Sequence, residues 1–337
     1  MSKTNYILSA LLAGSLNLMA QSADSVSHKA SFGVDYTGEV QTNFERARTT
    51  HLLQLHADVP LSKTLSVQMS SISTLSSKEL LDIFEMQGYS NIETFGLNIP
   101  FALSVAGITW QPNGHHSLFA GIRRTDEDYF CSDGLGLFTN SSCGIFPTIS
   151  WNFPIGTFPY AAMGIHYVYD VEKLCLQASL YNGVGNYRFT GRDNVFRICP
   201  KSDGVFAMGQ VEYRYRDSHY FLGGSMHTLP FVRPTVWAYA EQALSPDITL
   251  LAAYGHAFGG NISCKNFCGI GGKITVKRAE LGLFTDYTRV ADIDEWGTEL
   301  VCNLHLTHFL TVTPVVHVIT TNDITNCVGM LRMDVSF

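Results

Sequence analysis

The sequence predicts an all-β protein, a transmembrane antiparallel β-barrel of about sixteen strands that follows a cleaved amino-terminal signal peptide. Three observations predict this fold. Apolar and polar residues alternate along most of the chain, turn residues separate the alternating segments, and no apolar run is long enough for a membrane helix. Only 15% of the 337 residues are charged, whereas 46% are hydrophobic. A chain of this composition can bury enough surface to fold, which excludes general disorder.

The first twenty residues have the three regions of a secretory signal. Lys3 is the positively charged residue, residues 7–14 are the apolar region, and the cleavage site ends at Ala20. A short membrane anchor is the alternative, but polar residues interrupt a stretch that is already too short to span a bilayer. We therefore expect residues 1–20 to be removed and residues 21–337 to form one barrel domain.

Period-two alternation recurs along the mature chain. Leu65, Val67 and Met69 alternate with serine and glutamine, and each alternating segment is about ten residues, the length of a tilted membrane strand. At roughly twenty residues per strand and connection the mature chain holds about sixteen strands, with fourteen as the alternative. The other alternating segments lie in residues 32–37, 53–59, 174–180, 205–216 and 281–288.

The last segment and the aromatic residues favour a membrane barrel over a soluble sandwich. Leu331, Met333 and Phe337 share one face of the final segment, and a closing strand that ends in an aromatic residue is typical of bacterial outer-membrane barrels. A soluble sandwich would show the same alternation, but without aromatic girdles near the strand ends. The predicted girdle residues are Tyr160, Tyr167, Tyr169, Tyr213, Tyr215, Trp237, Tyr239, Tyr254 and Tyr287.

One stretch departs from the strand pattern. Residues 77–86 place Leu80, Leu81 and Phe84 at helical spacing. We expect a short helix in a long loop, which either folds into the lumen or caps the mouth of the barrel. An external loop with a single helical turn is the alternative.

The charges and scattered histidines exclude other functions. The formal net charge is −7 and the sequence has no run of lysine and arginine, so it offers no basic surface that could bind nucleic acid. The twelve histidines form no constellation with serine and asparagine or aspartate, so we expect no enzymatic activity. The spacing of Cys264 and Cys268, without a further ligand nearby, is weak for a metal site. We therefore predict neither metal nor cofactor.

Eight cysteines in an exported chain favour disulfides. Cys131 with Cys143 would close one loop, and Cys264 with Cys268 would close another. Cys175 and Cys302 lie inside strand patterns and are expected to be unpaired. The sequence also leaves open disulfide cross-links to other envelope proteins.

From Gly88 onward the chain resembles the carbohydrate-selective porins of the OprB type from Gram-negative outer membranes. The most specific segment is residues 135–147, LGLFTNSSCGIFP, preceded by Asp128-Tyr129-Phe130 and by Ala120-Gly121-Ile122-Arg123. The chain is shorter than expected for the family and richer in cysteine. The remaining similar segments are residues 88–98, 160–165, 176–178, 181–183, 299–300 and 310–314, and the terminal Phe337.

The resemblance implies a sixteen-stranded outer-membrane pore that passes mono- and oligosaccharides by passive diffusion. Its partners would be carbohydrates in transit and outer-membrane lipid. The sequence leaves open whether the protein forms a homo-oligomer. A structural or adhesive barrel with a plugged lumen is the alternative function. Sugar selection needs hydrogen-bonding groups and an aromatic stacking surface at a constriction, and Trp151 is an alternative to Phe138 for stacking. The candidate solute-contacting residues are Asn91, Glu93, Arg123, Arg124, Asp128, Phe138, Asn140 and Ser141.

Overall fold

A computed structural model describes residues 29–230 and 232–337. The predicted signal peptide, residues 1–20, lies outside the described residues. Sixteen antiparallel strands form a closed ring in which each strand pairs with the next along the chain. The first and last strands close the ring, with Tyr36 opposite Val335. The prediction of a closed sixteen-stranded antiparallel barrel is confirmed, and the alternative of fourteen strands is wrong.

The strands are β1 (Ser31–Thr42), β2 (Ala47–Pro60), β3 (Leu65–Ser76), β4 (Ala102–Asn113), β5 (His116–Arg123), β6 (Ala162–Val171), β7 (Leu174–Asn182), β8 (Val205–Tyr215), β9 (Ser218–His227), β10 (Arg233–Ser245), β11 (Ile248–Ala257), β12 (Cys264–Val276), β13 (Ala279–Val290), β14 (Ile293–His305), β15 (Leu310–Thr321) and β16 (Ile324–Ser336). The described residues also form three short helices, α1 (Ser141–Gly144), α2 (Pro147–Ser150) and α3 (Pro200–Asp203). Two 3₁₀ turns cover Thr125–Glu127 and Leu135–Leu137. Within the described parts of the chain, no helix has the length and apolar character to cross a membrane.

Alternation gives the barrel an apolar outer face. Leu222, Ile270 and Leu283 are exposed on that face, as are Leu331 and Met333 of β16. Because side chains alternate across a strand, the residues between them point into the barrel. In the closed ring each strand pairs its backbone polar groups with those of its neighbours. Only the apolar side chains of the outer face are therefore in contact with hydrocarbon.

The aromatic girdle is smaller than the sequence predicts. Tyr213, Tyr215 and Tyr254 are exposed on the outer face, as a girdle requires. Trp237 and Tyr239 were wrongly included, because they are only 1% and 3% exposed and pack inside the barrel. In a strand whose two faces are both apolar, alternation does not indicate which face points into the barrel. β10 is such a strand.

The two rims of the barrel differ in the length of their connections. One rim has tight turns, such as residues 172–173 and 216–217. The opposite rim carries three long connections, which we name the first inner loop (residues 77–101), the second inner loop (residues 124–161) and the outer-wall loop (residues 183–204).

The predicted helix in residues 77–86 is absent, and this prediction was wrong. The stretch has no regular secondary structure. Leu81 packs into the apolar cluster of the barrel interior, and the amide of Met86 donates to Glu295 of β14. Contacts with the barrel wall therefore replace the hydrogen bonds of a helix. The stretch does fold into the lumen, which is one of the two positions that the sequence left open.

The predicted disulfides are also absent, since all eight cysteines, which lie in the described residues, are free. Cys264 and Cys268 occupy one strand four positions apart, roughly 13 Å in an extended chain, whereas a disulfide joins Cα atoms less than about 7 Å apart. Cys143 is buried in the apolar cluster, while the Cys131 thiol contacts the carbonyl of Asp126. The two loop-closing pairings were therefore wrong, and the prediction that Cys175 and Cys302 are unpaired is confirmed.

Candidate functional site: a narrowed lumen

The second inner loop fills one side of the barrel interior. Its aromatic residues pack against the inward face of the wall, with ring centroids of Phe146 and Phe267 4.7 Å apart and those of Phe130 and Trp237 5.2 Å apart. The result is a dry apolar cluster between the loop and strands β7 to β16. Such a contact excludes water from this side, so any hydrated path must run elsewhere in the lumen.

Three glutamates of the wall hold the two inner loops. Glu241 of β10 accepts hydrogen bonds from the amides of Gly134 and Leu135, at 2.8 and 3.3 Å. Glu299 of β14 accepts from the amides of Thr139 and Asn140, at 2.7 and 3.0 Å. Because two consecutive loop amides converge on each carboxyl group, each glutamate is an anchor for a loop backbone.

The third anchor holds the first inner loop in the same way. Glu295 of β14 accepts hydrogen bonds from the amides of Met86 and Gln87, at 2.5 and 2.8 Å. The Gln87 side chain also donates to Asp286 of β13, at 2.9 Å. At the opposite wall, the Ser90 hydroxyl donates to Glu39 of β1, at 2.7 Å. The first inner loop is therefore tied to both sides of the lumen.

The wall that the second inner loop leaves uncovered is polar. On β1 to β3 nearly every inward position carries a polar side chain, with Leu52 and Ile72 as apolar exceptions. Near the rim with tight turns these side chains keep contact with water, and the side chains of Asp35 and His56 are 31% and 48% exposed. The inward polar residues of these strands are Asp35, Thr37, Glu39, Gln41, Arg48, Thr50, Gln54, His56, Asp58, Ser66, Gln68, Ser70, Thr74 and Ser76.

Arg123, Arg332 and Arg48 reach into the lumen, and each is paired with a carboxylate. Arg123 at the end of β5 makes two hydrogen bonds to Asp128, one of them 2.6 Å from Nε to Oδ2. Its Nη1 also reaches Gln68 of β3, at 3.4 Å. The guanidinium charge is thus neutralised beside hydrogen-bonding groups.

The other two pairs lie beneath the first inner loop. Arg332 of β16 binds Glu39, and its Nη2 also donates to the Asn91 side chain at 2.6 Å. Arg48 of β2 lies 3.0 Å from Glu93, with both side chains buried. Both pairs fix this loop against the polar wall.

The ionisation of the loop carboxylates depends on their surroundings. Burial works against the charge of Asp128, yet Arg123 and His166 hold its pKa below the usual range. Glu85 in the first inner loop behaves in the opposite way, because burial raises its pKa to about 8 despite the hydrogen bond from the Tyr89 amide, and Glu295 adds repulsion. Asp128 is therefore an anion at neutral pH, whereas Glu85 is largely protonated.

The structure brings most of the sequence-predicted site residues to these loops. The Asn140 side chain donates to Asp286 at 2.8 Å, and Ser141 donates to the carbonyl of Ser90 at 3.0 Å. Arg124 pairs with Glu127 at 2.6 Å. Asn91, Glu93, Arg123 and Asp128 belong to the pairs described above.

Phe138 is the exception, and its prediction as a stacking surface is contradicted. It is 1% exposed and packs on Phe284 at a centroid distance of 5.2 Å, inside the dry cluster. Trp151 is exposed, and its indole donates to the carbonyl of Met86 at 2.8 Å. A ring buried on both faces has no surface left for a solute.

Sequence reasoning missed the wall residues that complete the pairs, namely Glu39, Arg48 and Arg332, and the anchors Glu241, Glu295 and Glu299. A signal for them was present, because each is a charged residue at an inward position of an alternating strand. Alternation gives the face, but it cannot say which loop residue will lie opposite.

Several solved structures resemble this barrel over most of its length. "High pH structure of Pseudomonas putida OprB" matches with a TM-score of 0.78 and 14% identity, covering 91% of this chain and 94% of that one. A loop L8 deletion mutant of OmpT, an outer membrane protein of Vibrio cholerae, has a TM-score of 0.63 and 10% identity, with 92% and 99% covered. A mutant of Rh. blastica porin has a TM-score of 0.58 and 9% identity, with 92% and 100% covered.

No protein-family profile matches the chain, and no curated protein matches its sequence. At identities of 9 to 14% these structures establish the fold. The fold that the resemblance to the OprB type implies is thus confirmed, and the chain folds as a closed sixteen-stranded barrel similar to these structures.

Proposed function

We propose that this protein is an outer-membrane porin that lets carbohydrates diffuse passively through a water-filled lumen. The observation that carries the proposal is the polar wall of β1 to β3 inside a closed ring, which stays accessible toward the rim with tight turns. Both inner loops narrow the interior: the second packs its apolar side chains against the other wall, and the first packs Ile92 and Ile99 against Leu52 and Ile72 near the rim with long connections. A hydrated path along the polar wall is what remains.

Paired arginines in the lumen support a neutral, hydroxyl-rich solute. Arg123, Arg332 and Arg48 are each paired with a carboxylate, so a simple ion meets no uncompensated partner there. Hydroxyl groups can exchange hydrogen bonds with such pairs and with glutamine and serine along the wall. Individually weak contacts of this kind permit passage, because tight binding would slow release.

We assign the predicted site residues two roles within this proposal. Asn91, Arg123 and Ser141 keep part of their surface accessible and are the proposed solute contacts. The buried residues Glu93, Arg124, Asp128 and Asn140 are proposed to position the loops. Neither role involves covalent chemistry, so we propose no enzymatic activity.

Liposome swelling tests the proposal. Purified protein should admit mono- and disaccharides faster than empty liposomes do. Gln54 points inward and its neighbour Leu55 points outward, which provides a matched pair. Q54W should reduce sugar entry several-fold by narrowing the polar path, whereas L55W should leave the rate unchanged. Equal rates with and without protein would refute the proposed transport.

Planar-bilayer recording separates an open pore from a plugged barrel. An open pore gives stable single-channel conductance, which Q54W should lower and L55W should not. A folded barrel without stable openings would instead favour the structural or adhesive alternative.

A further inference from the structure

The outer-wall loop leaves the mouth of the barrel and lies on its outside. After β7 it pairs with the start of β6, where Asn186 and Ala161 exchange backbone hydrogen bonds of 2.9 and 2.8 Å. Further along, Phe189 stacks on Phe101 beside the start of β4, at a centroid distance of 5.4 Å. The loop therefore runs back across the rim over strands that precede it.

Burial of an outward residue shows that the loop covers the lipid-facing wall. Ile122 shares its strand face with Leu118 and Ala120, and Ala120 pairs with the exposed residue Ile165 of β6. Ile122 itself is 1% exposed, because Val195 of the outer-wall loop packs in the same cluster. Since this face would otherwise meet hydrocarbon, the loop occupies the place of lipid near the rim with long connections.

The surface of this loop is amphipathic. Phe101, Phe189, Phe196 and Ile198 are exposed large apolar residues, between 37% and 65% accessible. Beside them lies an open surface depression of about 640 Å³, and Arg192, Phe196 and Ile198 contribute to its lining. We call Phe101, Arg188, Phe189, Arg192, Phe196 and Ile198 the outer-wall patch.

The patch carries cations without anionic partners. Within the described residues, Arg197 pairs with Asp193 and Asp203, which neutralise it. Arg188 instead lies over the ring of Tyr187, and Arg192 forms no ion pair among residues 29–230 and 232–337. Two exposed guanidinium groups beside exposed phenylalanines are complementary to a molecule that has both an anionic group and hydrocarbon chains.

We propose that the outer-wall patch binds a phosphorylated lipid of the surrounding leaflet. The acyl chains lie along Phe101, Phe189 and Phe196, and Arg188 and Arg192 bind the phosphate. Arginine suits this role because its planar donors match phosphate oxygens in pairs. A second copy of the chain fits less well, because a two-fold contact through the patch would oppose the same cations.

Lipid binding by the purified full-length barrel tests this proposal. The probe is a bisphosphorylated acyl glycolipid added to protein in neutral detergent, with retained lipid measured by native mass spectrometry. R188Q/R192Q should bind about tenfold more weakly than the unchanged protein, because two phosphate contacts are lost. The control R46Q/K265Q removes two exposed cations from the same rim and should bind like the unchanged protein.

Further arms identify the source of the phosphate and the occupant. Inorganic phosphate alone should not displace the lipid, because it cannot use the apolar part of the patch. Equal binding of the dephosphorylated glycolipid, or equal losses in both double variants, would overturn the proposal. So would lipid-free dimers that R188Q/R192Q dissociates, since they would identify a second copy as the occupant. Sugar entry into liposomes should be the same for R188Q/R192Q and the unchanged protein, because the outer-wall patch lies outside the lumen. Lipid binding and sugar transport are therefore tested independently of each other.

Discussion

Carboxylates that accept two consecutive backbone amides are the smallest functional units of this barrel. Glu241, Glu295 and Glu299 each do so, and together they fix both inner loops. An ionised carboxylate has no donor, so both of its oxygens are free to accept. An amide in its place would keep one acceptor and bring an NH₂ group against a backbone N–H.

E299Q tests this geometry. We expect the free energy of unfolding to fall by about 1–3 kcal/mol, because one buried amide loses its acceptor. Thermal unfolding in detergent should show the loss, and limited proteolysis should cut the second inner loop faster. The control E45Q changes an exposed glutamate and should leave both measurements unaltered. Unchanged proteolysis of E299Q would contradict the anchoring role.

The buried pair of Arg123 and Asp128 should show strong coupling. Each of R123Q and D128N leaves one charge buried without its partner, which costs about 3–5 kcal/mol. The double variant should be destabilised by much less than the sum of the two. An exposed pair, Arg289 with Asp292 at 3.7 Å, provides the control cycle and should couple by less than about 1 kcal/mol. Additive losses at Arg123 and Asp128 would contradict the pair.

At the scale of elements, the first inner loop is built to be stable when Glu85 is protonated. Glu85 accepts the Tyr89 amide at 2.8 Å and lies near the anchor Glu295. Its pKa in the folded protein, about 8, lies above the usual value of 4.5. Folding therefore favours the protonated form, and its contribution to stability is complete below pH 4.5 and lost as pH rises through about 8.

E85Q should remove this pH dependence, because glutamine mimics the protonated side chain. We expect the unchanged protein to lose thermal stability between pH 6 and about 9, and E85Q to lose less over that range. At the upper end E85Q should be the more stable protein. The control E79Q alters an exposed glutamate of the same loop and should follow the unchanged protein. Parallel curves for E85Q and the unchanged protein would contradict the assignment.

The whole molecule depends on a closed ring with a lipid-compatible outside and a hydrated inside. Closure satisfies the backbone hydrogen bonds of every strand, and the apolar outer face then has hydrocarbon as its solvent. Only an interior wall that stays polar can hold water. The loops determine how wide that hydrated space is.

L283R tests the depth of the outer face in the membrane. Leu283 lies within β13 and is exposed outward, so arginine there should cost about 2–4 kcal/mol. Val276 ends β12 at the rim with tight turns, and V276R should cost less than about 1 kcal/mol. Unfolding in lipid bilayers measures both. Equal costs would place Leu283 outside the hydrocarbon region.

Much of the barrel could be predicted because the alternation of residues within each strand indicates which side chains face lipid and which face the interior. Leu331, Met333 and Phe337 alternate with polar residues, and the structure places them outward. Residues 77–86 show the limit of such reasoning. Their helical spacing was real, but Met86 and Leu81 found partners on distant strands, and those contacts override local preference.

The sequence by itself determined the strand-forming alternation, the apolar outer face and the approximate number of strands, since these depend on neighbours within a few residues. Only the tertiary structure decided that Trp237 and Phe138 lie in a dry cluster, that Glu299 holds a loop, and that Val195 covers the outward side chain of Ile122. Those outcomes depend on contacts between residues far apart in the chain. Alternation indicates on which face of the sheet a side chain lies, but not which residues it contacts there.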